Sequence, residues 1–229
     1  ASYGVDPSKV EVVHNAVDFD TVKFEKSSLK ADEDEKMILY LGRITTQKGP
    51  GFFLQAAKKV VDLAPDEKVK FVFAGSGDME GQMINMAADL GISDKVAFTG
   101  WVKGPQIDKL YSMADLYIMP SISEPFGITP LESMRNNTPV LISKQSGVSE
   151  VINHALKVDF WDVDEMTNKM LSIIKYSSLQ QTLASNGAKE VLKFSWDEPA
   201  QKCAKVYKDV LERYTAINQV QNISDLRVW

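Results

Sequence analysis

Five short apolar segments, separated by stretches with helical periodicity, constrain the fold of this chain more than any other feature of its sequence. Each segment is too short for a helix and almost continuously apolar, as is typical of strands buried on both faces of a parallel sheet. The segments are residues 37–41, 69–74, 96–99, 116–119 and 140–142. Their alternation with helical stretches predicts an α/β fold, a parallel sheet with helices on both faces.

Helical patterns follow four of these segments, at residues 52–61, 83–90, 107–113 and 131–136. After Pro139, helical patterns dominate to about Tyr214, and residues 218–229 lack a clear period and are interpreted as a tail. Before the first segment, residues 10–13 are strand-like and residues 26–36 form a highly charged loop. We therefore predict a connection with a first strand over 1–24, an α/β domain over 25–195, and a helical segment with a tail over 196–229.

Composition narrows the class of ligand. The net charge is −5 and the pI about 5.2, which disfavours broad binding to nucleic acid but allows a local cationic pocket for one phosphate ligand. The single cysteine, Cys203, allows no intrachain disulfide, and no Cys/His cluster has zinc spacing. We recognise no signal peptide and no apolar run near the roughly 20 residues of a membrane span. We expect a cytoplasmic protein without a transmembrane segment.

Ligands of open α/β sheets bind at the loops that leave the carboxyl ends of the strands. Those loops begin at Gly42, Gly75, Gly100 and Pro120 and after Ile142. We call them the first to fifth loops. We therefore expect functional residues in these five loops.

The first loop carries two cations, Arg43 and Lys48, on either side of a turn that ends in Gly49 and Pro50. Pro50 suits the first position of the following helix. Arginine offers a planar fork of donors and lysine a point charge, so the two residues suit a diphosphate. The alternative is that both are solvated loop charges.

The second and third loops give weaker signals. Gly75 and Gly77 let the backbone approach a ligand, but Glu80 breaks the complete Gly-x-Gly-x-x-Gly pattern, and a simple tight turn is the favoured alternative. Trp101 in the third loop is placed either to line a base pocket or to pack against the edge of the sheet.

The fourth loop is the most informative. Glu124 should lie at the exit of a strand, directed into a cleft, and the amides of residues 126–129 lead into a helix and can face an anion. Glu132 could accept hydrogen bonds from two adjacent hydroxyls. The alternatives are a solvated acid at Glu124 and, since Thr129, Pro130 and Glu132 have the spacing of a capping box, a capping role for Glu132.

Other signals do not point to a site. Residues 145–150 indicate a turn and a helix start, where a structural role and a ligand contact stay equally open. Three Asp-x-Asp matches, at 18–20, 32–34 and 162–164, lie away from the strand exits. We interpret them as chance matches in an acidic chain and predict no metal site. His14 and His154 are interpreted as turn and helix-end residues.

Residues 123–132 closely resemble the Glu-x7-Glu segment of the group-1 family of retaining glycosyltransferases, which have the GT-B fold of two facing Rossmann-like domains. The resemblance extends in order over nearly the whole chain. Its further segments are residues 14–18, 42–49, 74–77, 98–102 and 146–152. Departures from the family pattern are Ala16, Ser146 and Ser149, together with residues 153–157, and none of them falls on Arg43, Lys48, Glu124 or Glu132.

The resemblance implies roles for particular residues. Arg43 and Lys48 would bind the donor diphosphate and act in catalysis with Glu124, which would face the donor sugar. Glu132 would bind the ribose hydroxyls, and Val102 would border the base. The full set of implied donor contacts is Gly42, Arg43, Lys48, Gly75, Val102, Phe126, Gly127, Ile128, Thr129 and Glu132.

The resemblance also implies what surrounds this chain. Residues 25–195 would be the nucleotide-sugar-binding Rossmann-like domain, and the acceptor would bind mainly to an N-terminal domain that this chain lacks. The ligand would be a nucleotide-sugar donor, with no further cofactor and no catalytic metal, and the full-length enzyme could associate with a membrane surface. Two alternatives stay open: a non-catalytic nucleotide-binding or interaction module, and a GT-B epimerase or phosphorylase. We find no motif for the cofactor lysine of a phosphorylase.

Overall fold

The computed structural model describes residues 4–19 and 34–225, with side chains up to residue 215. The chain divides into two compact units. The larger is Phe19–Lys193, and the smaller combines the chain ends, Ala1–Asp18 and Phe194–Trp229. Most of the charged loop predicted over 26–36 lies outside the described residues.

The larger unit is built on a parallel sheet, which has six strands in the described part of the chain, in the order β3-β2-β1-β4-β5-β6. The strands are β1 (Lys36–Leu41), β2 (Val69–Ala74), β3 (Val96–Gly100), β4 (Leu116–Met119), β5 (Val140–Ser143) and β6 (Leu156–Val158). This is a Rossmann-like α/β fold, as the sequence predicts. Since β1 and β4 are neighbours, the loops that follow them meet at the centre of the sheet.

Helices cover the sheet in two layers. The helices are α1 (Pro50–Leu63), α2 (Glu80–Asp89), α3 (Pro105–Met113), α4 (Thr129–Arg135), α5 (Val163–Lys175) and α6 (Ser177–Glu190). Helices α1, α2 and α5 pack together, and α4 packs against α3 and α6. Successive strand side chains point to opposite faces of a sheet. Accordingly, Ile38 and Tyr40 of β1 join the core cluster beneath α1, α2 and α5.

Aromatic rings anchor α1 to the centre of the sheet. The Phe53 ring lies 5.0 Å from Phe73 and 5.9 Å from Phe71, between centroids, and Tyr40 lies 5.0 Å from Phe73. All four side chains are buried. Truncating a buried phenylalanine costs about 3–5 kcal/mol of stability. This packing therefore fixes the end of the first loop, which leads into α1.

The five predicted strands are confirmed, with bounds that differ by no more than one residue at either end. The sequence did not predict β6. It has only three residues, and Leu156 and Lys157 are only half-buried, so its pattern lacks the continuous apolar character of the central strands.

Two predictions at the chain ends are wrong. Residues 10–13 have no regular secondary structure, and Val10 and Val12 are 55% and 63% exposed. Alternating valines predict a strand only where a partner strand pairs with them. The interpreted tail at 218–229 is helical as far as Asp225, because α7 (Asp197–Asp225) continues through it.

The smaller unit contains α7 and a short 3₁₀ helix. Asp6 caps that helix, Pro7–Lys9, by accepting a hydrogen bond from Ser8 N at 2.9 Å. Val17 N donates to Phe194 O at 3.0 Å and joins the two chain ends. None of the helices in the described residues combines the length and apolar character needed to cross a membrane.

Candidate functional site

The first and fourth loops leave neighbouring strands at the point where the strand order reverses. The chain runs outward from β1 through β2 and β3, then returns to β4 and runs outward again. Ligands of open α/β sheets bind at such a reversal. A pocket of about 50 Å³ lies there, and its lining includes Gly42, Lys48, Ser121 and Thr129.

Backbone hydrogen bonds join the first loop to the second. Gly42 N donates to Ala74 O at 2.9 Å, and Ile44 N donates to Ser76 O at 3.0 Å. Gly75 has φ 129°, and a Cβ atom on it would lie 2.1 Å from the Gly42 carbonyl oxygen. The contact between the loops therefore requires glycine at Gly75, which gives the tight-turn alternative a specific structural reason. A ligand contact of Gly75 stays a prediction.

The first loop also contacts the fourth, through Gly49. This residue has φ 65° and ψ 35°, a left-handed conformation that favours glycine. A Cβ atom on it would lie 2.1 Å from the carbonyl oxygen of Pro120. Ile122 N donates to Gln47 O at 2.9 Å. These contacts hold Lys48 next to the fourth loop.

The fifth loop supports the fourth around Glu124. Gly147 N donates to Glu124 O at 3.0 Å, and Val148 N donates to Phe126 O at 2.8 Å. Ser146 and Glu124 form an isolated parallel bridge. The fifth loop thus has a structural role in the site.

Lys48 and Glu124 form an ion pair where the first and fourth loops meet. Their side chains are 22% and 11% exposed. Charges shielded from water in this way interact more strongly than a pair on the open surface. Glu124 is therefore not a solvated loop acid, and Lys48 is not a solvated loop cation.

Arg43 is the exposed cation of the first loop. Its backbone is held by the strand before it, because Tyr40 Oη of β1 donates to Arg43 O at 2.7 Å. Burial raises the pKa of Tyr40 well above its ordinary value of 10, so this hydroxyl keeps its proton at neutral pH. Among the described residues, the Arg43 guanidinium forms no ion pair and remains accessible to an anion.

Glu132 lies in the first turn of α4 and does not form the capping box that its spacing predicts. The helix begins at Thr129 itself and has no side-chain cap, and Glu132 N donates to Ile128 O at 3.1 Å. Thr129 Oγ1 accepts from Tyr117 Oη at 2.8 Å. The capping prediction is wrong because the helix starts one residue early and Tyr117 engages the threonine hydroxyl.

The Glu132 carboxylate instead accepts a hydrogen bond from Tyr111 Oη at 3.1 Å. Desolvation raises the pKa of Glu132 above its ordinary value of 4.5, and the Tyr111 hydrogen bond and the nearby Arg135 offset part of that rise. An ionised carboxylate has about four acceptor positions. Glu132 therefore retains capacity to accept from the hydroxyls of a ligand.

The loop before α4 offers backbone amides for contact with a ligand. The Phe126 side chain is buried, so only its backbone is placed to meet a ligand. Within the described residues, the amides of Gly127, Ile128 and Thr129 donate to no other group. Of the predicted contacts in this loop, Ile128 has the exposed side chain, at 37%.

The third loop exposes an aromatic ring. Trp101 is 73% exposed and does not pack against the sheet edge, so the packed alternative is wrong. Val102, next to it, is half-buried. The loop leaves β3 at the same edge of the sheet as the first two loops, and Gly75 N donates to Gly100 O at 2.9 Å to connect them.

The acidic motif at 162–164 has a structural role. Asp162 caps α5 by accepting from Glu165 N at 2.9 Å. The matches at 18–20 and 32–34 each fall partly outside the described residues. Across residues 4–19 and 34–215, no group of three or more His, Cys, Asp or Glu side chains could hold a metal ion.

Sequence reasoning did not predict the hydroxyl groups around the site. Tyr40, Tyr111 and Tyr117 each donate to a loop or helix group near the carboxyl ends of the strands. Ser121, directly after Pro120, lines the pocket. Tyrosines inside apolar segments carry a weak signal for such a role, since buried hydroxyls need partners.

The sequence is similar to known proteins over most of its length. Residues 21–190 match the family described as Glycosyl transferases group 1. An uncharacterized glycosyltransferase of Methanocaldococcus jannaschii is 33% identical over 225 residues, which are 92% of this chain and 56% of that protein. The chain thus spans about half the length of the curated relatives it matches.

Solved structures share the fold. Anabaena HepE, in complex with UDP and glucose, superimposes with a TM-score of 0.81 at 20% identity, over 91% of this chain and 59% of that one. The C-terminal domain of a group 1 glycosyl transferase from Francisella tularensis gives a TM-score of 0.67 at 22% identity, over 76% of this chain and 94% of that one.

Proposed function

Since this chain belongs to the Glycosyl transferases group 1 family, we propose that it binds a nucleotide diphosphate sugar and forms the donor half of a retaining glycosyltransferase. One observation carries the proposal. Arg43 and the Lys48–Glu124 pair belong to loops that meet at the strand-order reversal, where a Rossmann-like sheet binds its ligand.

The diphosphate would bind to the first loop. Arg43 offers a fork of donors and Lys48 a compact charge, and both suit phosphate oxygens. When the bond between the sugar and the diphosphate breaks, negative charge develops on the departing phosphate oxygen. The two cations of the first loop would stabilise that charge without a metal ion. The proposal therefore includes no metal requirement.

The sugar would lie toward Glu124. Positive charge develops on the sugar ring as a glycosidic bond breaks, and a shielded carboxylate stabilises such charge. Lys48 would then neutralise the phosphate on one side while holding Glu124 in place on the other. The free amides of residues 127–129 would add donors to sugar or phosphate oxygens.

The nucleoside would extend away from the diphosphate. Glu132 would accept hydrogen bonds from the two ribose hydroxyls, and Val102 would border the base. Both assignments rest on the resemblance. The geometry supports the first, because Glu132 does not cap its helix and keeps acceptor positions open.

Calorimetric titration tests the binding part of the proposal. UDP, GDP and ADP are each compared with the corresponding monophosphate and nucleoside, with and without EDTA. We expect one diphosphate to bind at least about tenfold more tightly than its monophosphate, which corresponds to 1.4 kcal/mol, and EDTA to change nothing. A non-catalytic interaction module would bind none of them, and a strict metal requirement would contradict the charge assignment.

The acceptor part of the proposal is tested by activity. We propose that acceptors bind mainly to a domain outside this chain, so the chain alone should fold and bind donor but transfer no sugar. The assay supplies donor and a broad acceptor panel and measures turnover against a buffer control. Robust transfer by this chain alone would show that it contains the acceptor site.

A further inference from the structure

One buried hydroxyl in the site has no hydrogen-bond partner among the described residues. Ser121 is fully buried, and none of the described residues forms a hydrogen bond with its Oγ atom. Buried polar atoms are usually hydrogen-bonded, because leaving one unpaired costs free energy. An unpaired hydroxyl beside a candidate site therefore points to a ligand group.

Ser121 lines the pocket at the strand-order reversal, together with Lys48 and Gly42. The other hydroxyls of that pocket already have partners. Tyr40 Oη donates to Arg43 O, and Tyr117 Oη donates to the Thr129 hydroxyl. Ser121 Oγ is thus the pocket hydroxyl with capacity to spare.

The size of the pocket limits its occupant. Pockets for whole small molecules have volumes of about 300–1,000 Å³, whereas this one has about 50 Å³. A nucleobase or a sugar ring is too large for it, but a single compact group such as a phosphoryl group fits. The Lys48 ammonium group on its wall favours a negative occupant.

We propose that Ser121 is a phosphate-binding residue whose hydroxyl donates to the terminal phosphoryl group of the nucleoside diphosphate, the group that carries the sugar. This inference rests on the proposed function, which brings a diphosphate to the first loop. The terminal group is assigned because Lys48 joins the pocket wall to Glu124, the residue proposed to face the sugar.

Ser143 provides a matched control. It lies at the end of β5, is fully buried, and its Oγ atom also lacks a partner among the described residues. It is not part of the pocket lining. Replacing either serine with alanine removes one unpaired buried hydroxyl, but only Ser121→Ala changes the pocket.

The test is calorimetric titration of wild type, Ser121→Ala and Ser143→Ala with a diphosphate and its monophosphate, together with ligand-free melting curves. We expect Ser121→Ala to weaken diphosphate binding about tenfold to a hundredfold, as for loss of one hydrogen bond to a charged group. Monophosphate binding and the melting temperature should be unchanged. Ser143→Ala should match wild type throughout. Ser121→Cys, a weaker donor of similar shape, should show the same selective loss.

The remaining outcomes overturn the inference. Unchanged diphosphate affinity in Ser121→Ala and Ser121→Cys would show that the hydroxyl meets no phosphate. Equal losses in Ser121→Ala and Ser143→Ala, or losses with a matching fall in melting temperature, would show a packing effect. If wild type binds no nucleotide at all, the proposed function fails, whereas tight wild-type binding with unaffected variants refutes only the role of Ser121.

Discussion

Lys48 and Glu124 are separated by 76 positions in sequence and form an ion pair where the first and fourth loops meet. The pair brings a carboxylate next to the cation proposed to bind phosphate. If a diphosphate binds as proposed, it must share Lys48 with Glu124. The ion pair would also orient Glu124 before a sugar binds.

Neutralising Glu124 should strengthen binding of a diphosphate that carries no sugar. Glu124→Gln removes the negative charge that competes for Lys48, and we expect affinity for the preferred nucleoside diphosphate to rise by roughly 1 kcal/mol, about fivefold. Calorimetry measures the change. Glu150→Gln, at an exposed acid of the fifth loop, is the control and should behave as wild type. Weaker binding in Glu124→Gln would mean that Glu124 supports the phosphate site rather than competing with the ligand.

Removing either cation of the first loop should weaken diphosphate binding selectively. We expect Arg43→Ala and Lys48→Ala each to cost about 1.5–3 kcal/mol of diphosphate affinity, the range for hydrogen bonds to charged groups, with nucleoside affinity unchanged. Lys48→Ala should have the larger effect because it leaves Glu124 unpaired. Lys59→Ala, at an exposed lysine of α1, serves as the control. Equal losses for diphosphate and nucleoside would assign both residues to the fold.

Glu132→Gln should separate ligand binding from stability. Glutamine can still accept from Tyr111 but loses the charge-assisted hydrogen bonds, so we expect nucleotide affinity to fall severalfold with little change in melting temperature. The wild-type preference for ribose over 2′-deoxy or 3′-deoxy nucleotides should diminish. Tyr111→Phe, which removes the protein donor and keeps the carboxylate, should retain that preference. A variant that melts lower but binds as wild type would limit Glu132 to a structural role.

The raised pKa of Glu132 predicts that stability and nucleotide affinity both depend on pH. Because the pKa of Glu132 in the folded protein is raised above 4.5, its protonated form is favoured by folding. This contribution to stability is present at low pH and lost as pH rises through the raised pKa. Ligand binding should respond in the opposite sense, since the ionised form is the acceptor. Affinity for a nucleotide sugar should fall as pH is lowered, starting above pH 4.5, and Glu132→Gln should lack this component. Identical pH profiles of affinity for wild type and Glu132→Gln would contradict a role for the ionised Glu132 in binding.

The contact between the first and fourth loops can be tested by adding one methyl group. Gly49→Ala should lower the free energy of unfolding by at least about 1–2 kcal/mol, the backbone cost of the left-handed conformation, because the new Cβ would also displace Pro120. Gly51→Ala is the control. Its Cβ meets open space in α1, where alanine should add up to about 1 kcal/mol. Denaturant unfolding measures both, and equal stability of the two variants would refute the contact.

The sequence predicts the central sheet well and its edge poorly. Residues 69–74 and 116–119 are buried almost throughout, so their apolar runs match β2 and β4 at both ends. The three-residue β6 is half solvated and carries no comparable pattern. Residues 10–13 show the converse, because alternating valines without a partner strand remain irregular.

The predicted site residues lie in the expected loops, but their interactions depend on distances that sequence spacing does not encode. Arg43, Lys48 and Glu124 could be selected because parallel strands bring their carboxyl ends to one edge. The pairing of Lys48 with Glu124 needs the Gly49–Pro120 contact, which brings together residues far apart in the chain. Spacing gave Glu132 the wrong partner, since a local capping pattern competes with Tyr111, which is 21 positions away.

Backbone hydrogen bonds connect the loops along the carboxyl edge: Gly75 N donates to Gly100 O, Gly42 N to Ala74 O, Ile122 N to Gln47 O and Gly147 N to Glu124 O. The backbone position of each loop therefore depends on the neighbouring loop. A residue inserted into one loop would break its hydrogen bonds to the adjacent loops. Length variation, which usually diversifies surface loops, is penalised here. A new preference for a nucleotide sugar should consequently arise by exchange of side chains at fixed backbone positions. Changes in loop length should be tolerated only in the third loop, beyond Gly100. A library aimed at altered specificity should vary residue identity there and leave the length of the other four loops unchanged.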